Sequence, residues 1–169
     1  MPEVEPSPEE AFWRFSLAFY EQPGVAQALL ALQDRDSLDV NLMLLALWLG
    51  ISGRGRLESD TLAEAGRAIG RIRAEIVEPL RTLRRKLRDH ADEDVQQLRK
   101  GVKGLELDGE KLVQKRLARL ARPARCDIPE EDRLAVAGIN LALYLGPETA
   151  RSTEAMVIRQ ALENFTRAR

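Results

Sequence analysis

The chain has 169 residues, 26 Lys+Arg against 27 Asp+Glu, a formal net charge of −1, and is 44 % hydrophobic and 5 % aromatic. That is enough chain for one domain with a buried core, and its apolar and charged content is that of a folded globular protein. A lone cysteine, Cys126, excludes an internal disulfide framework and a Cys-based zinc site, and a lone histidine, His90, argues against a His-rich metal site or a Ser-His-Asp triad.

The opening, MPEVEPSPEE, is acidic and proline-containing. It matches neither a secretory signal, which needs a basic start and an apolar run, nor an Arg-rich transit peptide. The longest nearly apolar run, residues 42–51, is about half of the ~20 residues of a membrane span. A cytoplasmic protein without a membrane span is therefore expected. The balanced total hides segregation: residues 1–66 carry −7, residues 67–122 carry +7 and residues 123–169 carry −1. The two ends of that asymmetry can attract each other within the fold or serve as separate binding surfaces.

Apolar residues recur at three and four, β-branched residues are scarce, and no segment alternates for long, so the chain reads as all-α. Residues 1–7 are expected to be flexible. Ser7, Pro8 and Glu10 stand as N-cap, N1 and N3 of a first helix ending near Tyr20. A second helix spans about 23–33, and Asp36 or Ser37 caps a third over 38–50, which is apolar nearly all round and therefore central. Ser59 or Asp60 caps the next helix, whose stripe Leu62, Ile69, Ile76, Leu83 and Leu87 holds phase across Pro79. One bent helix over about 60–90 follows from that continuity, with two abutting helices as the alternative. A long helix over 93–121 is expected despite Gly101, Gly104 and Gly109, with a break near Asp108-Gly109 as the weak point. Arg122-Pro123 ends it. Two more helices, about 130–145 and 151–168, complete a single compact bundle of six to eight helices, read as one domain over residues 1–169.

Four sets of residues carry chemistry that could serve function. Five of the eight aromatics lie between Phe12 and Tyr20. Phe12, Phe15 and Phe19 share one face of the helix, and Trp13 and Tyr20 sit on another. Burial of both faces is the commoner arrangement, and a partner against the Trp13 and Tyr20 face is the sharper one. Asp34, Asp36, Asp39 and Asn41 form an oxygen-rich patch at a helix start. It could hold Mg2+ and a diphosphate, although carboxylates also collect there simply to cap helices. Asn41, near the core, needs partners, for which Gln33, Asn140 or a backbone group are candidates. Arg81, Arg84, Arg85 and Arg88 make a basic face suited to phosphate or an acidic partner. The acids that follow at Asp89, Asp92, Glu93 and Asp94 favour a solvated, locally paired surface, and the pI of about 6.0 disfavours nucleic acid. No phosphate loop and no nucleophile elbow is present, so a conventional enzyme is disfavoured.

The stretch from Phe12 to Gly50 carries the signals Phe12-Trp13, Tyr20, Gly24-Val25, Leu32-Gln33-Asp34, Asp39-Val40-Asn41 and Trp48-Leu49. In these it resembles an uncharacterised family of small proteobacterial helical proteins. Weaker similarity continues in Val77-Glu78-Pro79-Leu80-Arg81 and Glu106-Leu107; after the latter, where such proteins prefer Ala, this chain has Asp108-Gly109. The resemblance implies a helical domain and no activity. The expectation is a non-catalytic interaction or adaptor protein using Phe12, Trp13, Tyr20, Gln33, Asp34, Asp39, Asn41 and Trp48, with no cofactor. The alternative is a binder of a small apolar or prenyl-diphosphate-type ligand, or a remote enzyme, with Mg2+ on the Asp34, Asp36, Asp39 and Asn41 patch. Docking on RNA or ribosome through Arg81 to Arg88 is the weakest of the three.

Overall fold

A computed structural model describes residues 6–121 and 128–168. Cys126 and the Arg122-Pro123 helix end therefore lie outside the described residues. The described residues are all-α: α1 (Pro8–Tyr20), α2 (Val25–Asp36), α3 (Val40–Ile51), α4 (Ser59–Ile72), a π turn (Arg73–Val77), α5 (Glu78–Lys86), α6 (Glu93–Leu120), α7 (Glu130–Thr149) and α8 (Thr153–Arg167). Because α4, the π turn and α5 are one continuous bent rod, these amount to seven rods. Among the described residues, no helix is long and apolar enough to cross a membrane.

The helix starts follow local chemistry, with two corrections. Ser7 Oγ accepts from the Glu10 N–H at 3.2 Å, but the Glu10 carboxylate turns to Arg14, so only half of the capping box forms. The cap of α3 is neither Asp36 nor Ser37. Asp36 stays in α2, Ser37 ends it in a left-handed conformation (φ 55), and Asp39 takes the capping role, its Oδ1 accepting from the Asn41 and Leu42 N–H groups at 2.7 and 3.3 Å. Pro79 does not break its helix. The ladder widens one turn earlier, the Glu78 N–H bonding the Arg73 carbonyl, and this π turn absorbs the irregularity that the proline imposes. α6 runs unbroken through Asp108-Gly109. α7 is interrupted at Gly146 (φ 78, ψ 167) before a last turn through Pro147, so the expected end near Leu145 marks a real discontinuity.

α3 is the centre of the body: every residue from Asn41 to Gly50 is buried. Its main partner is α7, flanked by α1 against α6 and α2 against α8. At Gly50 the α3 and α7 backbones approach so closely that an added Cβ would stand 2.3 Å from the Ala137 nitrogen. Fully buried Asn140 fastens the following loop to this crossing. Its Nδ2 donates to the Ala46 and Gly55 carbonyls at 3.2 and 3.1 Å, and its Oδ1 accepts from the Leu57 N–H at 2.8 Å. The core draws on the π turn and every helix except α5. α5 instead packs antiparallel on α6, forming a hairpin at the side of the body, while the C-terminal half of α6 contributes Val113, Leu117 and Ala118 to the core.

Candidate functional site

A cleft of about 590 Å3 opens between α1, the start of α3, and the α5–α6 hairpin. It brings together residues that lie far apart in sequence. Trp13, Tyr20, Gln33, Asp39 and Asn41 line it, and so do all four arginines of the basic face, Arg81, Arg84, Arg85 and Arg88. One face of the aromatic helix, Asp39 and Asn41 of the oxygen-rich patch, and the basic face line one cleft.

Four expected residues are placed elsewhere. Phe12 and Trp48 pack in the core with tilted rings, their centroids 4.9 Å apart, so neither presents a surface to a partner. Asp34 and Asp36 are exposed and do not line the cleft. The helix-face division of the aromatics holds: Phe12, Phe15 and Phe19 are buried, while Trp13 and Tyr20 are half-buried on the cleft.

The cleft floor is a polar network built around the start of α3. Asp39, already capping with one oxygen, faces the Arg73 guanidinium with the other at 2.5 Å, and its own N–H donates to the Tyr144 hydroxyl at 2.7 Å. Asn41 does not bond Gln33 or Asn140. Its Nδ2 donates to Glu110 Oε2 at 2.7 Å, and its Oδ1 accepts from Gln114 Nε2 at 3.0 Å. Asn140 is committed to the loop after α3, which is why it cannot serve. Glu110 also pairs with Arg81 at 2.5 Å, and Arg81 with Glu106 at 3.2 Å; Arg84 closes a further pair with Glu106. Arg81 and Arg84 are thus neutralised by α6, not by the acids that follow them in sequence. Glu106, Glu110 and Gln114 were not anticipated, although their spacing of four, with Lys103 and Leu107 beside them, marks one face of a helix.

The two glutamates are tuned in opposite directions. Burial pushes Glu106 up, but hydrogen bonds from Arg84 and Arg81 outweigh it and hold the carboxyl below its ordinary value. Burial dominates at Glu110 and raises it, against the pull of the Asn41 amide and Arg81.

Around this floor the walls are apolar, with Leu17, Leu30 and Leu107 exposed. Arg85, Arg88 and Lys103 border the cleft, and among the described residues none has a carboxylate oxygen within 4.0 Å. Ser16 Oγ and Gln114 Oε1, on the same cleft, are buried without a hydrogen-bond partner among the described residues. Asp39 is taken by the helix start and Arg73, Asp36 pairs with Arg35 at 3.0 Å, and among the described residues no three His, Cys, Asp or Glu side chains gather to hold an ion.

Residues 11–117, covering α1 through most of α6 and hence nearly all of the cleft, match a family of proteins of unknown function, DUF2390. The chain belongs to that family. No curated protein and no solved structure matches it. In this DUF2390 protein the matched region contains every cleft residue named above except Tyr144, which supports Asp39 from α7.

Proposed function

We propose that this DUF2390 protein is a non-catalytic binding protein whose cleft holds an acidic, amphipathic segment of another protein. The observation that carries this reading is the cleft's division of labour. Three of its four acids, Asp39, Glu106 and Glu110, are engaged by Arg73, Arg81 and Arg84, and the fourth is exposed Glu21. Among the described residues Arg85, Arg88 and Lys103 have no carboxylate oxygen within 4.0 Å, and they stand beside an open apolar wall of Leu17, Leu30 and Leu107. A segment with leucine-type anchors on one side and carboxylates on the other complements both features, burying apolar area while the cations steer it. Among the described residues no nucleophile–base pair accompanies the network, and Glu110, whose carboxyl burial pushes up, is held by Arg81 and Asn41. That arrangement suits a rigid floor better than proton transfer.

A second reading rests on Ser16 Oγ and Gln114 Oε1. Two buried acceptors left unpaired on the cleft suit a small ligand with a hydroxyl or amide donor and an anionic head, held by arginines instead of Mg2+.

A photo-crosslinking residue at Leu17, introduced into the protein in its host, tests the first reading. Crosslinks should map to one Asp/Glu- and Leu-rich stretch of a partner and vanish with Arg85→Glu and Arg88→Glu. Crosslinks insensitive to that charge reversal, or none at all, would overturn it. Native mass spectrometry of the gently purified chain separates the second reading, which requires an added mass of small-molecule size.

A further inference from the structure

The cleft occupies one side of the α5–α6 hairpin, and the reverse side is lined with leucine. Ile76, Leu80, Leu83 and Leu87 recur at spacings of four, three and four. Leu98, Leu105 and Leu112 recur every seven residues along α6, and Leu98 and Leu105 are 60 % and 57 % exposed. At about 100° per residue, Leu98 stands half a turn from Leu107, and Leu83 about half a turn from Arg85. Leu107 and Arg85 both line the cleft, so the two stripes share the opposite face. The seam between them is closed by buried Val102 and by Gly109, whose missing Cβ would press on Val77.

Apolar residues alternating at four and three are the pattern by which helix packs on helix with knobs into holes. Ile76, Leu83, Leu98, Leu105 and Leu112 are all exposed on this face, and contiguous exposed apolar side chains of this kind are what contact surfaces are made of. Charge identifies the occupant. Exposed Asp94 opens α6 beside the stripe, and exposed Lys115 and Arg116 follow towards its end. Along the other stripe the chain likewise runs from an acid, Glu75, which also pairs with Arg71 at 2.8 Å, to a base, Lys86, and because the helices are antiparallel the two gradients oppose each other in space. Asp94 and Arg116 lie eleven residues either side of Leu105. The Arg81–Glu106 pair sets the middle of the α5 stripe, between Leu80 and Leu83, level with Leu105. One two-fold axis across the helices at that level therefore lays each stripe antiparallel on its own copy, with Asp94 opposite Arg116 and Glu75 opposite the Lys86 end. A face complementary to itself under a two-fold is the hallmark of an isologous contact.

We infer that this leucine face binds a second copy of the chain, the two hairpins forming an antiparallel four-helix contact. Sedimentation equilibrium of the full chain tests it. The wild type should sediment at twice the 19.0 kDa of the chain, and Leu105→Glu should sediment as a single chain with unchanged helical circular dichroism, since Leu105 is exposed within its own chain. Asp94→Arg should weaken self-association roughly tenfold or more by placing like charges together, and Asp94→Arg with Arg116→Asp should restore it. A wild type that stays monomeric across micromolar concentrations, or a dimer indifferent to Leu105→Glu, overturns the inference. Failure of the double charge exchange to restore what Asp94→Arg removes overturns the two-fold arrangement.

Discussion

The body built on α3 and α7 and the hairpin of α5 and α6 spend their side chains in opposite ways. In the body, α3 is buried from Asn41 to Gly50, and the buried polar side chain at its centre, Asn140, is engaged by backbone groups. In the hairpin, α5 contributes no buried residue at all, yet it carries arginines on one side and leucines on the other. A helix that buries nothing does little for the core, and its two faces are free to be specified by what they meet. The difference locates function: the body explains why the chain folds, and the hairpin explains what it presents.

The largest expected effect is in the body. A methyl added at Gly50 meets backbone atoms of Ala137 at 2.3 and 2.4 Å, which cannot turn aside as a side chain can. Gly50→Ala should therefore cost about 3 kcal/mol or more, at the upper end of overpacking effects, seen as a lower urea midpoint with an unchanged slope. Near-wild-type stability would mean that the α3–α7 crossing is looser than described. No change of comparable size in the hairpin should approach this.

Much of the body was legible in the sequence because its signals are local. Ser7-Pro8, the all-round apolarity of residues 42–50 and the stripe running past Pro79 each declare an element from within a few turns of chain. The cleft was legible only in pieces. Trp13, Asp39 and Arg81 each stood out, but nothing in a one-dimensional pattern says that α1, α3 and α5 converge. The sequence offers Asp89 to Asp94 as neighbours for Arg81 and Arg84, whereas an antiparallel hairpin supplies their partners from Glu106 and Glu110. Gly50 gave no signal either, since a helical glycine needed for close approach looks like any other until its neighbour is known.

A smaller effect separates the two glutamates of the hairpin and reads the cleft floor directly. Glu106 is held below the ordinary value of 4.5 in the fold. Its stabilisation is therefore fully present above that value and is lost as pH falls through the lower, folded one. Glu110 is raised, so its contribution has the opposite sign: it is present below 4.5 and lost as pH rises through the folded value. Glu106→Gln should cost about 2 kcal/mol at neutral pH, in the range of charge-assisted hydrogen bonds, and should flatten the acid limb of the stability profile. Glu110→Gln should steepen that limb. Urea denaturation as a function of pH distinguishes the two, and parallel profiles for both variants would contradict the opposed tuning of the floor.

The smallest effect sharpens the comparison within α6 itself, where two glycines sit in opposite surroundings. A Cβ at Gly104 meets nothing within 4 Å, while one at Gly109 would come 3.2 Å from a methyl of buried Val77. Both substitutions by alanine reduce the entropy lost on forming the helix, a gain of up to about 1 kcal/mol. Gly104→Ala keeps that gain, whereas at Gly109 the displaced Val77 side chain offsets it. Thermal unfolding should therefore show Gly104→Ala raised by a few degrees and Gly109→Ala level with the wild type or below it. Equal gains at both sites would mean that the π turn stands further from α6 than Val77 requires. The hairpin would then be a looser arm than the paired arginines and glutamates on its cleft side imply.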